Sequence, residues 1–259
     1  MVSIRIQEWP PYTAGDRARR ENVEIAGRLM MNAALTAPCA SGAPHIEGHI
    51  LSDEEEIERL ARKMEELALE GNRITENLFK YEAVMARESD TIVFLGSYRA
   101  LVDPFDAGCG LCGGRPDCSY VYSRRSGKMG IIDPTEKVKK YEGLMNGPLC
   151  SFRSVDLGFS VGAALWMASR LFVDTRPFMT IGVAGQKLGY CPNCAFVVGL
   201  PLSARSKNPY IDINPDYHLV NMGKVIDQVR KQYVLHRQAS PDYRIWDPAR
   251  RPTRQRRTK

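Results

Sequence analysis

Between residues 16 and 35 apolar side chains recur at helical spacing, at Val23, Ala26, Leu29, Met30 and Ala33. That period predicts a helix with Asp16 as its N-cap and Pro38 beyond its end. ALTAPCASGAPHIEGHIL then crosses a loop of small residues into a strand around 45–51. The clearest amphipathic pattern is SDEEEIERLARKMEELALEG, a helix over 53–71. Ser52 or Asp53 caps it and acidic residues fill its first turn. Ile57, Leu60, Met64 and Leu67 form its apolar face, and Gly71 stops it. A further helix covers 72–88, and TIVFL at 91–95 is a short strand of the buried type.

In the second half, residues 155–171 are apolar nearly all round, which predicts a buried central helix. Gly158 and Gly162 open its surface to close backbone approach by another element. AFVVGL at 195–200 is an interior strand, followed by PLSARSKNP. Short charged sequence at 134–145 and apolar spacing at 220–235 predict two more helices, while 178–190 fits strand and helix equally well. No repeat of the solenoid kind occurs. The resulting organisation is α+β, with a mixed sheet and long helices. A single core spans 17–104 and 151–236, after an irregular lead-in at 1–16. A cysteine-rich insert covers 105–150, and a basic tail covers 237–259.

The insert carries the chemistry. CGLCGGRPDC places Cys109, Cys112 and Cys118 in glycine-rich sequence, and GPLCSFRSVDLG places Cys150 just ahead of the apolar helix. Each iron of an iron–sulfur cluster needs an outward-pointing thiolate, and a C-x₂-C turn lets two sulfurs from one loop reach adjacent irons. Glycines at 108, 110, 113 and 114 let that loop wrap closely. Cys150 beside a helix N-terminus would stand where the dipole favours negative charge. Zinc is a rival, because CPNC (Cys191, Cys194) resembles a zinc knuckle and could pair with Cys109 and Cys112. Compact zinc ribbons, however, separate their knuckles by about 15–20 residues. Disulfides or free thiols without a metal are the third reading. The polar, proline-broken N-terminus shows no secretory pattern, so the expected compartment is the reducing cytoplasm, where clustered cysteines bind metal or do redox work.

Composition changes this picture little. The 259 residues are 44% hydrophobic and 25% charged, ordinary for a globular chain long enough to bury a core. No uninterrupted apolar run is long enough for a membrane span. The formal charge of +6 resides in the tail, which holds eight Lys/Arg against two Asp from Arg237 onward. A basic tail can dock on an acidic protein partner. Without interleaved base-stacking aromatics or a nucleic-acid motif, the other reading is a solvated tail, and nucleic-acid binding is not expected.

Three segments carry a family resemblance. GPLCSFRSVDLGFSVGAA, FVDTR and VVGLPLSARSKNPYID together resemble a family of uncharacterised prokaryotic proteins containing a ferredoxin domain. The resemblance implies a 4Fe–4S cluster carried by Cys109, Cys112, Cys118 and Cys150, and it leaves Cys39, Cys191 and Cys194 outside the ligand set. A fainter resemblance is to nitroreductase-like flavoproteins. ALTAPCASG stands at the position of their loop after the first helix, 155–171 at their central helix, and GLP with Arg205 and Lys207 at their final turn. It implies a nitroreductase-like core around the iron–sulfur insert, a homodimer with shared pockets, and FMN. The arginines nearest to that family's phosphate-binding pair are Arg17, Arg19 and Arg20.

A flavin would convert the single electrons of a cluster into two-electron reduction of a substrate. Arg205 and Lys207 would then hold the FMN phosphate; the other reading is a surface turn with two solvated cations. The expected function is a 4Fe–4S redox protein, an FMN-assisted reductase. The alternatives are a non-catalytic electron-transfer or assembly subunit, and a structural zinc protein. Cys191 and Cys194 read equally as a redox dithiol, half of a metal site with Cys39, or inert thiols. His45 and His49 lie on one face of a strand and read as structural. No catalytic residues are identified. Deleting residues 240–259 is expected to leave far-UV circular dichroism and bound iron unchanged, because such a run contributes little packing. It should abolish any salt-sensitive binding to an acidic partner. Loss of soluble protein on deletion would make the tail structural instead.

Overall fold

The computed structural model describes residues 17–42, 45–70, 73–98, 109–111, 149–205 and 208–211. The chain divides into two units, Met1–Asp212 and Ile213–Lys259, and every described residue belongs to the first. The expected lead-in at 1–16, the helices at 134–145 and 220–235, and the basic tail lie outside the described residues.

Along the chain the described elements are α1 (Arg17–Leu35), β1 (Ile46–Leu51), α2 (Glu54–Glu70), α3 (Arg73–Arg87), β2 (Thr91–Tyr98), α4 (Ser151–Arg170), β3 (Asp174–Thr175), α5 (Met179–Lys187) and β4 (Cys194–Ser203). The ambiguous stretch at 178–190 is therefore helical, and β3 is a strand that periodicity did not signal. Asp53 caps α2 by accepting from the Glu56 N–H at 3.0 Å, and Ile57, Leu60, Met64 and Leu67 are all buried. Arg87 at the end of α3 forks over Glu58 and Glu65 of α2, and its hydrogen bonds hold both carboxyls below their usual range.

The described strands form one sheet in the order β1-β2-β4-β3, and every pairing in it is antiparallel, not mixed as expected, because strand direction depends on connections that periodicity does not encode. In β2 only Tyr98 escapes full burial, which explains why TIVFL is apolar without alternation. Val93, Leu95, Val198, Leu200 and Leu202 face one way and pack with Val23, Met30 and Ala34 of α1 and Leu157, Ala164 and Ala168 of α4. On the other face lie α2, α3 and α5. Here glycine decides how close the layers come. A Cβ on Gly182 would collide with the Val197 carbonyl, and one on Gly185 with the Phe94 ring. No described helix is long and apolar enough to cross a membrane.

One expectation is overturned at α4. The helix starts at Ser151 and is not buried all round. Its buried face holds Arg153, Asp156 and Ser160 along with Leu157, Ala164 and Ala168. Val155, Phe159 and Trp166 are 52%, 53% and 57% exposed. Gly158 and Gly162 lie on the open side, and no described atom comes within 4 Å of a Cβ built on either. Apolar composition on every side cannot reveal which side a neighbour covers, and here polar fastenings choose the inward face. Past Leu171, Phe172 adopts φ 55° and the Val173 N–H returns to the Ala168 carbonyl at 3.1 Å, which terminates the helix.

Gly182→Ala should lower unfolding free energy by about 3 kcal/mol, because backbone rather than a movable side chain blocks the new methyl. Gly158→Ala meets open space and should stabilise by up to about 1 kcal/mol through helix propensity. Urea denaturation of dilute protein reads both. Equal stability of the two variants would disprove the close seating of α5 on β4.

Candidate functional site

Cys150 is the N-cap residue of α4, with extended backbone (φ −74°, ψ 126°) and no side-chain cap hydrogen bond. Its carbonyl accepts from the Ser154 N–H and from the Ser154 hydroxyl, both at 2.9 Å, so the helix start is closed through backbone and the thiol stays available. Ser151 Oγ donates to the Leu111 carbonyl at 3.4 Å. That bond brings the Cys109-Gly110-Leu111 turn to the helix end bearing Cys150. Gly110 has φ 72°, a left-handed backbone that glycine adopts without a Cβ clash. Cys109 is exposed and Cys150 half-buried, and both thiols are free. The turn that starts at Cys109 thus adjoins the helix N-terminus that carries Cys150, where negative charge is favoured. Their chemistry suits a thiolate-bound cluster. Cys112 and Cys118 lie outside the described residues.

Behind Cys150 the first turns of α4 are locked by a buried ion pair that periodicity could not signal. Arg153 Nη1 donates to Asp156 Oδ2 at 2.9 Å and to the Ala40 carbonyl at 3.2 Å. The Ala40 N–H returns a bond to Asp156 Oδ1 at 2.9 Å. The loop of ALTAPCASG, with half-buried Cys39, is thereby fastened to α4. Its spacing pointed to a loop, but only the fold shows what holds it.

The PLSARSKN segment meets a different set of partners. Arg205 pairs with Glu88, and its other terminal nitrogen lies 3.9 Å from Asp90 Oδ1. Asp90 is buried and pairs with Arg19. Tyr210, buried with its hydroxyl pushed well up by that burial, donates to Ser89 Oγ at 3.2 Å. Asn208 Nδ2 donates to Asp174 Oδ1 at 3.0 Å. An open groove of about 790 Å³ runs beside this segment, with Phe172, Arg176, Arg205 and Asn208 in its lining. Arg205 does not stand there as a free cation awaiting a phosphate, since Glu88 pairs with it and Asp90, shared with Arg19, lies beside it. Arg17 and Arg20 likewise face Glu21 and Glu54. A flavin phosphate at Arg205 would have to compete with Glu88, and Lys207 lies outside the described residues.

Among the described residues no three His, Cys, Asp or Glu side chains gather so as to hold a metal ion. His45 is buried, and His49 stacks on Tyr190 with ring centroids 4.6 Å apart. Neither histidine joins Cys109 and Cys150. Asp156→Ala should cost about 3–5 kcal/mol by leaving the Arg153 charge buried without its partner. It should also speed proteolysis and amide exchange at 38–42. Unchanged protection of that loop would show that the ion pair does not secure it.

A family model described as uncharacterised protein containing a ferredoxin domain matches residues 146–212, from just before Cys150 to the end of the PLSARSKN segment. An uncharacterised protein from Archaeoglobus fulgidus is 33% identical over 197 residues, covering 76% of this chain and 95% of that relative. Among solved structures, nitroreductase A from Vibrio parahaemolyticus is similar at 13% identity and a TM-score of 0.42, covering 86% of this chain and 83% of that one. A nitroreductase with bound FMN from Desulfitobacterium hafniense is similar at 12% identity and a TM-score of 0.41, covering 71% and 79%. Structural likeness at that level carries no argument about cofactor or reaction. The sequence relationship, which spans most of both chains, shows the family and no more: this chain belongs to the family of uncharacterised proteins containing a ferredoxin domain.

Proposed function

We propose that the chain is a redox protein holding a 4Fe–4S cluster on Cys109, Cys112, Cys118 and Cys150. One observation supports this reading above the rest. The Ser151–Leu111 hydrogen bond, at 3.4 Å, brings the first cysteine turn to the helix end that carries Cys150. A thiolate-bound cluster supplies one-electron transfer when bound. The chain's own part is to hold and orient the sulfurs. Gly110 lets the turn approach closely, the Cys150 thiol is not consumed in capping, and Arg153 with Asp156 keeps the start of α4 in place. In this reading residues 105–150 form an insert on the core of 17–104 and 151–236. The working compartment is the cytoplasm, where thiols stay reduced.

Within that reading, an electron-transfer or assembly subunit is favoured over an FMN-assisted reductase. FMN phosphate at Arg205 would have to displace Glu88 and Asp90. A docking role also suits the exposed apolar face of α4, where Val155, Phe159 and Trp166 stand beside Gly158 and Gly162. A second copy of the chain is the occupant we assign to that face. The basic tail is left for an acidic partner.

Anaerobic purification with iron and sulfide analysis tests the cluster. Cys150→Ser is expected to lose most of the iron, and Cys39→Ser to keep it. Equal loss in both variants would overturn the ligand set. Titration with FMN separates the two functional readings. No flavin uptake at micromolar concentration is expected. Tight uptake that Arg205→Ala weakens by about ten- to a hundredfold would instead establish the flavin reductase.

A further inference from the structure

Cys191 and Cys194 belong to a second sulfur site, independent of the proposed cluster ligands. CPNC forms the turn between α5 and β4, closed by the Cys194 N–H donating to the Cys191 carbonyl at 3.1 Å. Cys191 holds φ 50°, which a residue with a Cβ adopts only where its surroundings impose it. Both side chains are buried, at 2% and 7% exposure, on either side of exposed Pro192 and Asn193. The i, i+3 turn brings the two cysteines to one place. Both sulfurs also converge on one residue of β1: Cys191 Sγ lies 3.8 Å from the Glu47 carbonyl oxygen, and Cys194 Sγ donates to Glu47 Oε2 at 3.5 Å. The space for Cys194 exists because position 96, opposite Glu47 in the sheet, is glycine; a Cβ there would press on the Cys194 side chain.

From this geometry we infer that Cys191 and Cys194 form a reversible dithiol–disulfide couple that Glu47 holds in the reduced state. Both thiols are free, and no third metal-ligating group completes a metal site among the described residues. Contact with Cys191, burial and the Glu47 carboxylate, in that order, push the Cys194 thiol far above its usual range. Cys194 is held by the Glu47 carboxylate while Cys191 Sγ faces a backbone carbonyl, so Cys191 is the sulfur that reacts first, with a small hydroperoxide. With hydrogen peroxide, the Cys191 sulfur bonds to one peroxide oxygen, the O–O bond breaks, and hydroxide leaves with the thiol proton as water. The Cys194 sulfur then attacks the Cys191 sulfur, the S–O bond breaks, and the second hydroxyl leaves with the Cys194 proton as water. The two sulfurs lose two electrons and the peroxide gains them. A dithiol such as dithiothreitol reverses the change by exchange, taking the disulfide into its own ring.

Glu47 sets the balance. Its carboxylate accepts a hydrogen bond that exists only while Cys194 carries its proton, and its charge opposes a thiolate beside it. Cleavage after Lys187 and Arg205 isolates both cysteines in one peptide, LGYCPNCAFVVGLPLSAR, which contains no other cysteine. The full-length protein would be treated with hydrogen peroxide, its remaining thiols blocked, and that peptide weighed. Loss of two hydrogens from the peptide, restored by dithiothreitol, is the expected result. Glu47→Gln should form the disulfide about tenfold faster at neutral pH, with unchanged circular dichroism. Cys194→Ser should instead leave Cys191 sulfenylated and trapped by a sulfenic-acid reagent. The inference is overturned if both thiols stay free while exposed Cys109 oxidises, or if stoichiometric zinc protects them. It is also overturned if Glu47→Gln oxidises no faster than the parent chain.

Discussion

Asp90 is the constraint on which much of the fold rests. Its carboxylate is buried at the head of β2, where an unpaired charge would carry a penalty of several kcal/mol. Arg19 of α1 supplies the partner, and Arg205, from the segment after β4, approaches from another side. The Asp90 N–H meanwhile donates to the Leu202 carbonyl at 2.8 Å, continuing the β2–β4 ladder. One residue thus links the first helix, the central strand and the last described segment, which lie far apart in sequence. Arg19 and Arg205 thereby both serve the buried carboxylate of Asp90.

α4 shows how polar fastening can invert an apolar helix. Arg153 and Asp156 face inward because the backbone at Ala40 offers both a donor and an acceptor, and together they satisfy the buried charges. Further along, Ala164 and Ala168 are small enough to lie against α1 and the sheet. The larger residues Val155, Phe159 and Trp166 are left on the open side. Arg170 covers part of Trp166, with its guanidinium carbon 4.9 Å from the ring centroid.

Sulfur appears in two physical settings. Around Cys109 and Cys150 the thiols are reachable, the backbone is glycine-relaxed and a helix end favours negative charge. At Cys191 and Cys194 the thiols are enclosed, face each other and lie against a carboxylate. The first setting suits ligation of a cationic metal centre. The second opposes thiolate and suits a pair that either stays protonated or closes on itself.

Much of the architecture was legible in the chain alone. The buried stripe of α2, the placement of α1, the buried runs in β2 and β4, and the position of Cys150 before a helix all follow from local pattern and capping chemistry. Side-chain period and turn residues act over a few positions, so sequence can express them directly. The covered face of α4, the fastening of Ala40, the pairing of Arg205 with Glu88 and the approach of Glu47 to Cys194 could not be read that way. Each joins residues from about 100 to 150 positions apart (116, 117 and 147 for the three hydrogen bonds). No local period encodes such a meeting; it is decided when the layers pack and each buried charge or thiol must find whatever partner the topology brings to it.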